Sequence, residues 1–169
     1  MPQVNFHNDP SSSTRIARID VKGWTFSSEG WFTLATIARD FGDEALYLTD
    51  DGALEVRGVE AQESLENLAG DIEHTPPRNV PAAWHHDPRP IGWLAEGCKP
   101  GQVSLGAAVM GRALPAAYAD LLGALEVPIS ITERGTLVFH DIAEGDADVV
   151  LRVLAPRGFV FDADSPHLD

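Results

Sequence analysis

Two stretches of the 169-residue chain follow one plan: "LTDDGALEVRG", Leu48 to Gly58, and "ITERGTLVFH", Ile131 to His140. Thr49-Asp50-Asp51-Gly52-Ala53-Leu54 aligns with Thr132-Glu133-Arg134-Gly135-Thr136-Leu137 as T-x-x-G-x-L, 83 positions apart (132 minus 49). In each copy alternating apolar residues flank a glycine suited to positive φ at a turn, the pattern of a β-hairpin. Leu46 and Leu48 lead to Leu54 and Val56 in the first copy, Ile129 and Ile131 to Leu137 and Phe139 in the second. Such a repeat constrains the chain to fold as two related halves.

The match extends in both directions. Ala17, Ile19 and Val21 alternate with Arg18, Asp20 and Lys22, a half-buried strand ending at Gly23; Val103, Leu105 and Ala107 alternate with Ser104, Gly106 and Ala108 on the way to Gly111. A helical stripe follows each glycine: Leu34, Ile37, Ala38 and Phe41, then Tyr118, Leu121, Leu122 and Leu125 behind Pro115. After the hairpins, "AQESLENLAG" and "GDADVVLRVLAPRG" each read as a polar start, an apolar stripe and a closing glycine. Each half is therefore β-α-β-β-α, and two such halves, related by pseudo-twofold symmetry, are expected to pair into one larger antiparallel sheet with helices on one face.

The fold class is accordingly α+β, with residues 1–14 as a flexible tail, 15–73 as the first half-domain, 74–100 as a connector and 101–169 as the second half-domain. The connector segment "EHTPPRNVPAAWHHDPRPIGW" holds five prolines, which disfavour helix and central strand through most of it. Trp84 and Trp93 are expected to pin it across the domain.

Charge narrows the partners. Twelve basic against 26 acidic residues give a formal charge of −14, a field that repels nucleic-acid backbones and anionic membranes. The sequence shows neither an apolar run near the roughly 20 residues of a membrane span nor a basic-then-apolar leader, so a cytoplasmic protein is expected. Cys98 is the single cysteine, in the turn "EGCKPG"; it excludes an internal disulfide, a CxxC pair and a four-cysteine cluster site within this chain.

A strand ending in glycine, a helix and then LT-x-x-G-x-L-x-x-RG resembles the ferredoxin-like half-domain of nitrite and sulfite reductases, which occurs twice in those enzymes and in the related precorrin-3B synthase of cobalamin biosynthesis. "IGWL", "LGAAVMGR", "ITERGTLVF" and "LAPRGFVFDADSP" are similar, in order, to segments of the synthase, and the resemblance covers about residues 15 to 165. It implies a platform under a siroheme bridged to a 4Fe-4S cluster that other domains hold. With Cys98 alone no 4Fe-4S cluster is expected here, so the resemblance implies an accessory or tetrapyrrole-binding component of an oxidoreductase, without its own redox centre. Its partners would be a tetrapyrrole, a redox or cluster-bearing subunit, or a second copy in a homodimer. The alternatives are a non-catalytic interaction module and an oxidoreductase whose cluster domain lies on another chain.

In the reductases the hairpin turn reads T-x-R, and its arginine meets oxyanions or tetrapyrrole carboxylates. Arg134 stands at that place in the second half and Asp51 in the first. The sheet face turned away from the helices is expected to carry Arg18, Asp20, Lys22, Tyr47, Thr49, Glu55 and Arg57, joined by Ser130, Thr132, Thr136 and His140, as a binding platform or a solvated face. Arg18, Lys22, Thr49, Arg57, Thr132 and Arg134 are the candidate cofactor-binding residues, and no catalytic residue is assigned. In "WHHDPRP" the adjacent His85 and His86 point apart and lack a third ligand at suitable spacing, so no metal site is assigned.

Overall fold

Each sheet of this protein is completed by a strand from the other half of the chain. The computed structural model describes residues 3–8, 10, 13–21, 24–49, 53–60, 62–70, 72, 74–75, 92–94, 100–131 and 136–161. The first half contributes β1 (Gln3–Asn8), β2 (Arg15–Asp20), β3 (Thr25–Phe26), α1 (Ser28–Phe41), β4 (Ala45–Leu48), β5 (Ala53–Val59) and α2 (Gln62–Gly70). After β6 (His74–Thr75) and β7 (Gly92–Leu94) come β8 (Gln102–Val109), β9 (Ala113–Pro115), α3 (Ala116–Ala124), β10 (Ile129–Ile131), β11 (Leu137–Ala143), α4 (Glu144–Leu154) and β12 (Phe159–Val160). The architecture is α+β: two antiparallel sheets with, among the described residues, four helices.

The expectation of one larger sheet is corrected. One sheet runs β1-β2-β5-β4-β9 and the other β12-β8-β11-β10-β3-β6, with β7 also beside β8. The halves are laced by short strands: β3 reaches across so that Phe26 pairs with Ile129 and Thr25 with Ser130, while β9 sets Leu114 against Leu46 and Ala113 against Tyr47. These pairings are symmetry equivalents, since Leu46 and Ile129 lie 83 positions apart and Phe26 and Leu114 lie 88 apart (129 minus 46; 114 minus 26). The five-residue difference is the difference in helix length, fourteen residues in α1 against nine in α3.

The helices cover the apolar faces of the sheets. Ala17 and Ile19 of β2, Leu46 and Leu48 of β4, and Leu54 and Val56 of β5 join Trp31, Leu34, Ile37 and Ala38 of α1 in a core continuous with Leu105, Ala107, Leu122, Ile129, Phe139 and Leu154. Full burial of one such large apolar side chain contributes about 1.5–3 kcal/mol. The stripe expected on α3 is shifted: Ala116, Ala119, Leu122 and Gly123 are buried, and Tyr118, Leu121 and Leu125 only partly. The reason is close packing of α1 on α3. A Cβ on Gly123 would meet the Phe32 ring at 2.7 Å, so small residues fill the contact, which Arg39 and Asp120 close with a 2.5 Å ion pair.

Two sequence boundaries also change. Within the expected flexible tail, Gln3–Asn8 forms β1, paired with β2 in an unbroken register from Gln3 opposite Asp20 to Asn8 opposite Arg15. Within the expected connector, His74–Thr75 pairs with β3 and Gly92–Leu94 with β8. Trp84 and Cys98 lie outside the described residues, as does the "HHD" of His85 to Asp87. No helix among the described residues is long and apolar enough to cross a membrane.

Candidate binding face

Period-two alternation turns one face of β2, β4 and β5 away from the helices, and the sheet register lines up what stands on it. Asn5, Arg18, Glu55, Tyr47 and Ala113 are consecutive cross-strand neighbours on β1, β2, β5, β4 and β9. In the second sheet the equivalent row is Gly92, Gly106, Val138, Ser130 and Thr25, on β7, β8, β11, β10 and β3. The repeat thus places Tyr47 with Ser130, Glu55 with Val138, and Arg18 with Gly106.

A β-bulge breaks each row at the same point. Between Arg15 and Ala17 the pairing of β2 slips, Arg15 facing Val59 and Ala17 facing Val56, so the extra residue falls at Arg57-Gly58. Between Phe139 and Ile142 the register of β11 against β8 slips at His140-Asp141. Gly58 and Asp141, 83 positions apart, both carry positive φ, 81° and 58°. A bulge re-aims the side chain beside it. It turns Arg57 over the first face and His140 into the second.

On the first face the side chains are half-buried to exposed, and most are charged. The Arg57 guanidinium stacks 3.9 Å above the centre of the Tyr47 ring and lies 3.6 Å from Glu55, with 46% and 21% of the two charged side chains exposed. The Tyr47 hydroxyl donates to the Asp43 carboxylate at 2.7 Å. Partial burial of the phenol, then the hydrogen bond to Asp43 and its negative charge, push the Tyr47 pKa above its usual value of 10.0, while Arg57 pulls the other way. Arg18 sits directly across from Glu55, and Asp20 is exposed at the end of β2.

The second face is closed. Val138 is 1% exposed, Ser104 and Thr136 3%, and His140 5%. The polar atoms there are satisfied internally, as burial requires: His140 Nε2 and Ser130 Oγ share a 2.7 Å hydrogen bond, and Ser130 Oγ is 2.7 Å from Thr25 Oγ1. The chain of hydroxyls crosses from the second half to the first along the β3–β10 pairing. Ser130, Thr136 and His140 were expected on a face shared with the first-half polar residues; Thr136 and His140 instead lie in the interior. Thr25 carries no signal of its own in local sequence, because its place depends on a strand crossing from one half to the other.

Of the six candidate cofactor-binding residues, three are described. Arg18 and Arg57 share the open face. Thr49 lies at the hairpin, where its hydroxyl accepts from the Ala53 N–H at 2.8 Å and stands 3.2 Å from the Ala53 carbonyl, holding the two strands of the hairpin together. Lys22, Thr132 and Arg134 lie outside the described residues, as does Asp51. A siroheme presents several carboxylates and calls for an excess of cations. The described open face carries Asp20, Asp43 and Glu55 against Arg18 and Arg57, and Arg57 already has Glu55 as its ion-pair partner. Among the described residues the acidic side chains on this face outnumber the basic ones, three to two.

No known family profile matches the sequence, and no curated protein matches it significantly. Among solved structures, the NirA protein of Mycobacterium tuberculosis superposes with a TM-score of 0.72 over 89% of this chain at 9% sequence identity. The fold is like that of NirA. NirA has ferredoxin-like half-domains. This chain spans 58% of the length of NirA, and at 9% identity the likeness concerns the fold alone.

Proposed function

We propose that this protein is a non-catalytic accessory component of a nitrite/sulfite reductase-like oxidoreductase system, and that it docks a redox or cluster-bearing protein partner on the open face of its first half. The observation carrying this reading is the difference between two equivalent faces. One is buried around an internal hydrogen-bond chain; the other leaves Arg57, Tyr47, Asp43 and Glu55 at the surface. Tyrosine and arginine are the residue types most enriched at the energetic centres of protein interfaces, and a mixed-charge setting suits a complementary protein surface better than a polyanionic cofactor. The net charge of −14 favours a basic partner.

The test is affinity capture of the full chain from its native source, alongside the double variant Tyr47→Ala/Arg57→Ala. The reading expects a protein with iron–sulfur absorption to accompany the wild type and to be lost from the variant, whose thermal unfolding stays cooperative. A parallel titration of the purified chain with siroheme should give no saturable Soret-type change. Saturation near one equivalent, together with capture indifferent to the variant, would replace this reading with a tetrapyrrole-binding role in which Arg18, Lys22 and Arg134 take the leading part.

A further inference from the structure

The edges of the two sheets are treated very differently. Natural sheets protect exposed edges by shortness, proline, charge or a bulge. At the far end of the first sheet β9 is three residues long and ends in Pro115; in the second sheet β6 and β12 are two residues each, and β7 is three. β1 has none of these features. It is six residues long, its pairing with β2 shows no register slip, and "QVNFHN" contains no proline, lysine, arginine, aspartate or glutamate. Among the described residues no strand pairs with its outer edge.

Charge makes the segment stand out further. In a chain with 38 charged residues (12 plus 26) and a net charge of −14, any two copies repel over most of their surface. Six consecutive uncharged residues along a free hydrogen-bonding edge form a place where copies can approach without setting like charges opposite one another. The face of β1 directed to the core adds apolar surface: Val4 and Phe6 pack on the core yet remain partly exposed, while Asn5 and His7 point to solvent.

We infer that β1 is a homodimerisation edge, at which two copies pair antiparallel across a twofold axis and fuse their five-stranded sheets into one of ten strands. The sequence is self-complementary for this. A twofold centred on Asn5 sets Asn5 opposite its own copy on the outer face and Val4 of one copy opposite Phe6 of the other on the core face, so apolar meets apolar and polar meets polar. The unpaired backbone groups of each edge then satisfy one another, the mode by which extended segments add to open sheets. This inference rests on the edge alone and stands or falls independently of the partner proposed for the Tyr47–Arg57 face.

Sedimentation velocity on the full chain, across the micromolar range, tests it. The expected species has twice the monomer mass of 18.2 kDa. Asn5→Lys, which places two ammonium groups opposite each other at the twofold, is expected to return the mass to that of the monomer, and the neutral strand-former Asn5→Thr to leave the dimer in place. A wild type that stays monomeric throughout overturns the inference, as does a dimer that survives Asn5→Lys. Should Asn5→Lys fail to fold, amide hydrogen exchange of wild-type residues 3–8 decides: protection that rises with protein concentration supports the paired edge, and protection independent of concentration contradicts it.

Discussion

Tyr47, Glu55 and Arg57 occupy the same three places in the first sheet that Ser130, Val138 and His140 occupy in the second, down to the bulge beside Arg57 and His140. The first set is a tyrosine between two charged side chains that reach the surface, the second a buried valine and a buried histidine hydrogen-bonded to a half-buried serine. The two halves share the backbone course, including the positive φ at Gly58 and Asp141, while the outward side chains differ in burial. Register and bulge position belong to the fold; which face meets solvent is decided by the few side chains standing on it.

The harshest way to break the comparison is to exchange residues between the faces. Val138→Glu sets an unpaired carboxylate where 1% of the residue is exposed, and is expected to cost about 3–5 kcal/mol, the range for an uncompensated buried charge. The reciprocal Glu55→Val should change stability by less than about 1 kcal/mol, since it removes a partly exposed ion pair. Chemical denaturation of both variants measures the contrast, and equal costs would erase it. Next in size is His140→Ala, which removes a buried side chain and one of the two partners of Ser130 Oγ, leaving Thr25 Oγ1, and is expected to cost about 1–3 kcal/mol. Arg57→Ala removes only a surface pair and an exposed ring stack, worth about 1 kcal/mol or less in total.

Smaller still is the bulge itself. At Gly58 an added Cβ would have only ordinary contacts, with Asp43 at 3.8 Å, so Gly58→Ala tests backbone strain alone and should cost about 1 kcal/mol. The finest probe is the Tyr47 phenol, read by ultraviolet titration in a Tyr118→Phe background that leaves it the single tyrosine. Asp43→Asn should lower its pKa toward 10.0, and Arg57→Ala should raise it further. The sign for stability follows from the raised folded-state value. The neutral phenol is favoured in the native protein, so this contribution is complete below the unfolded pKa near 10.0 and is lost as pH rises through the higher folded one.

The repeat, the α1 stripe and both hairpins were legible because each rests on local periodicity: two for strands, 3.6 for helices. The first-half face was legible for the same reason, Arg18, Tyr47, Glu55 and Arg57 alternating with buried neighbours. What escaped was non-local. β3 and β9 are two and three residues long, too short to alternate, and they gain strand character from distant partners, β3 from β10 and β6 and β9 from β4. β1 reads as a polar tail, because its pattern is completed by pairing with β2 and by the packing of Val4 and Phe6. Burial of the second face was equally hidden. Thr136 and His140 are polar, and only their hydrogen bonds and tertiary position make them interior residues.

The contrast between the faces is tested most directly by thiol labelling of Glu55→Cys and Val138→Cys, each in a Cys98→Ser background. The account predicts that the thiol at position 55 reacts rapidly in the native protein. At position 138 reaction should be slower by about a hundredfold or more, the ratio for an opening that costs about 3 kcal/mol. Comparable native-state rates at the two positions would contradict it, since the second half would then present a face as open as the first.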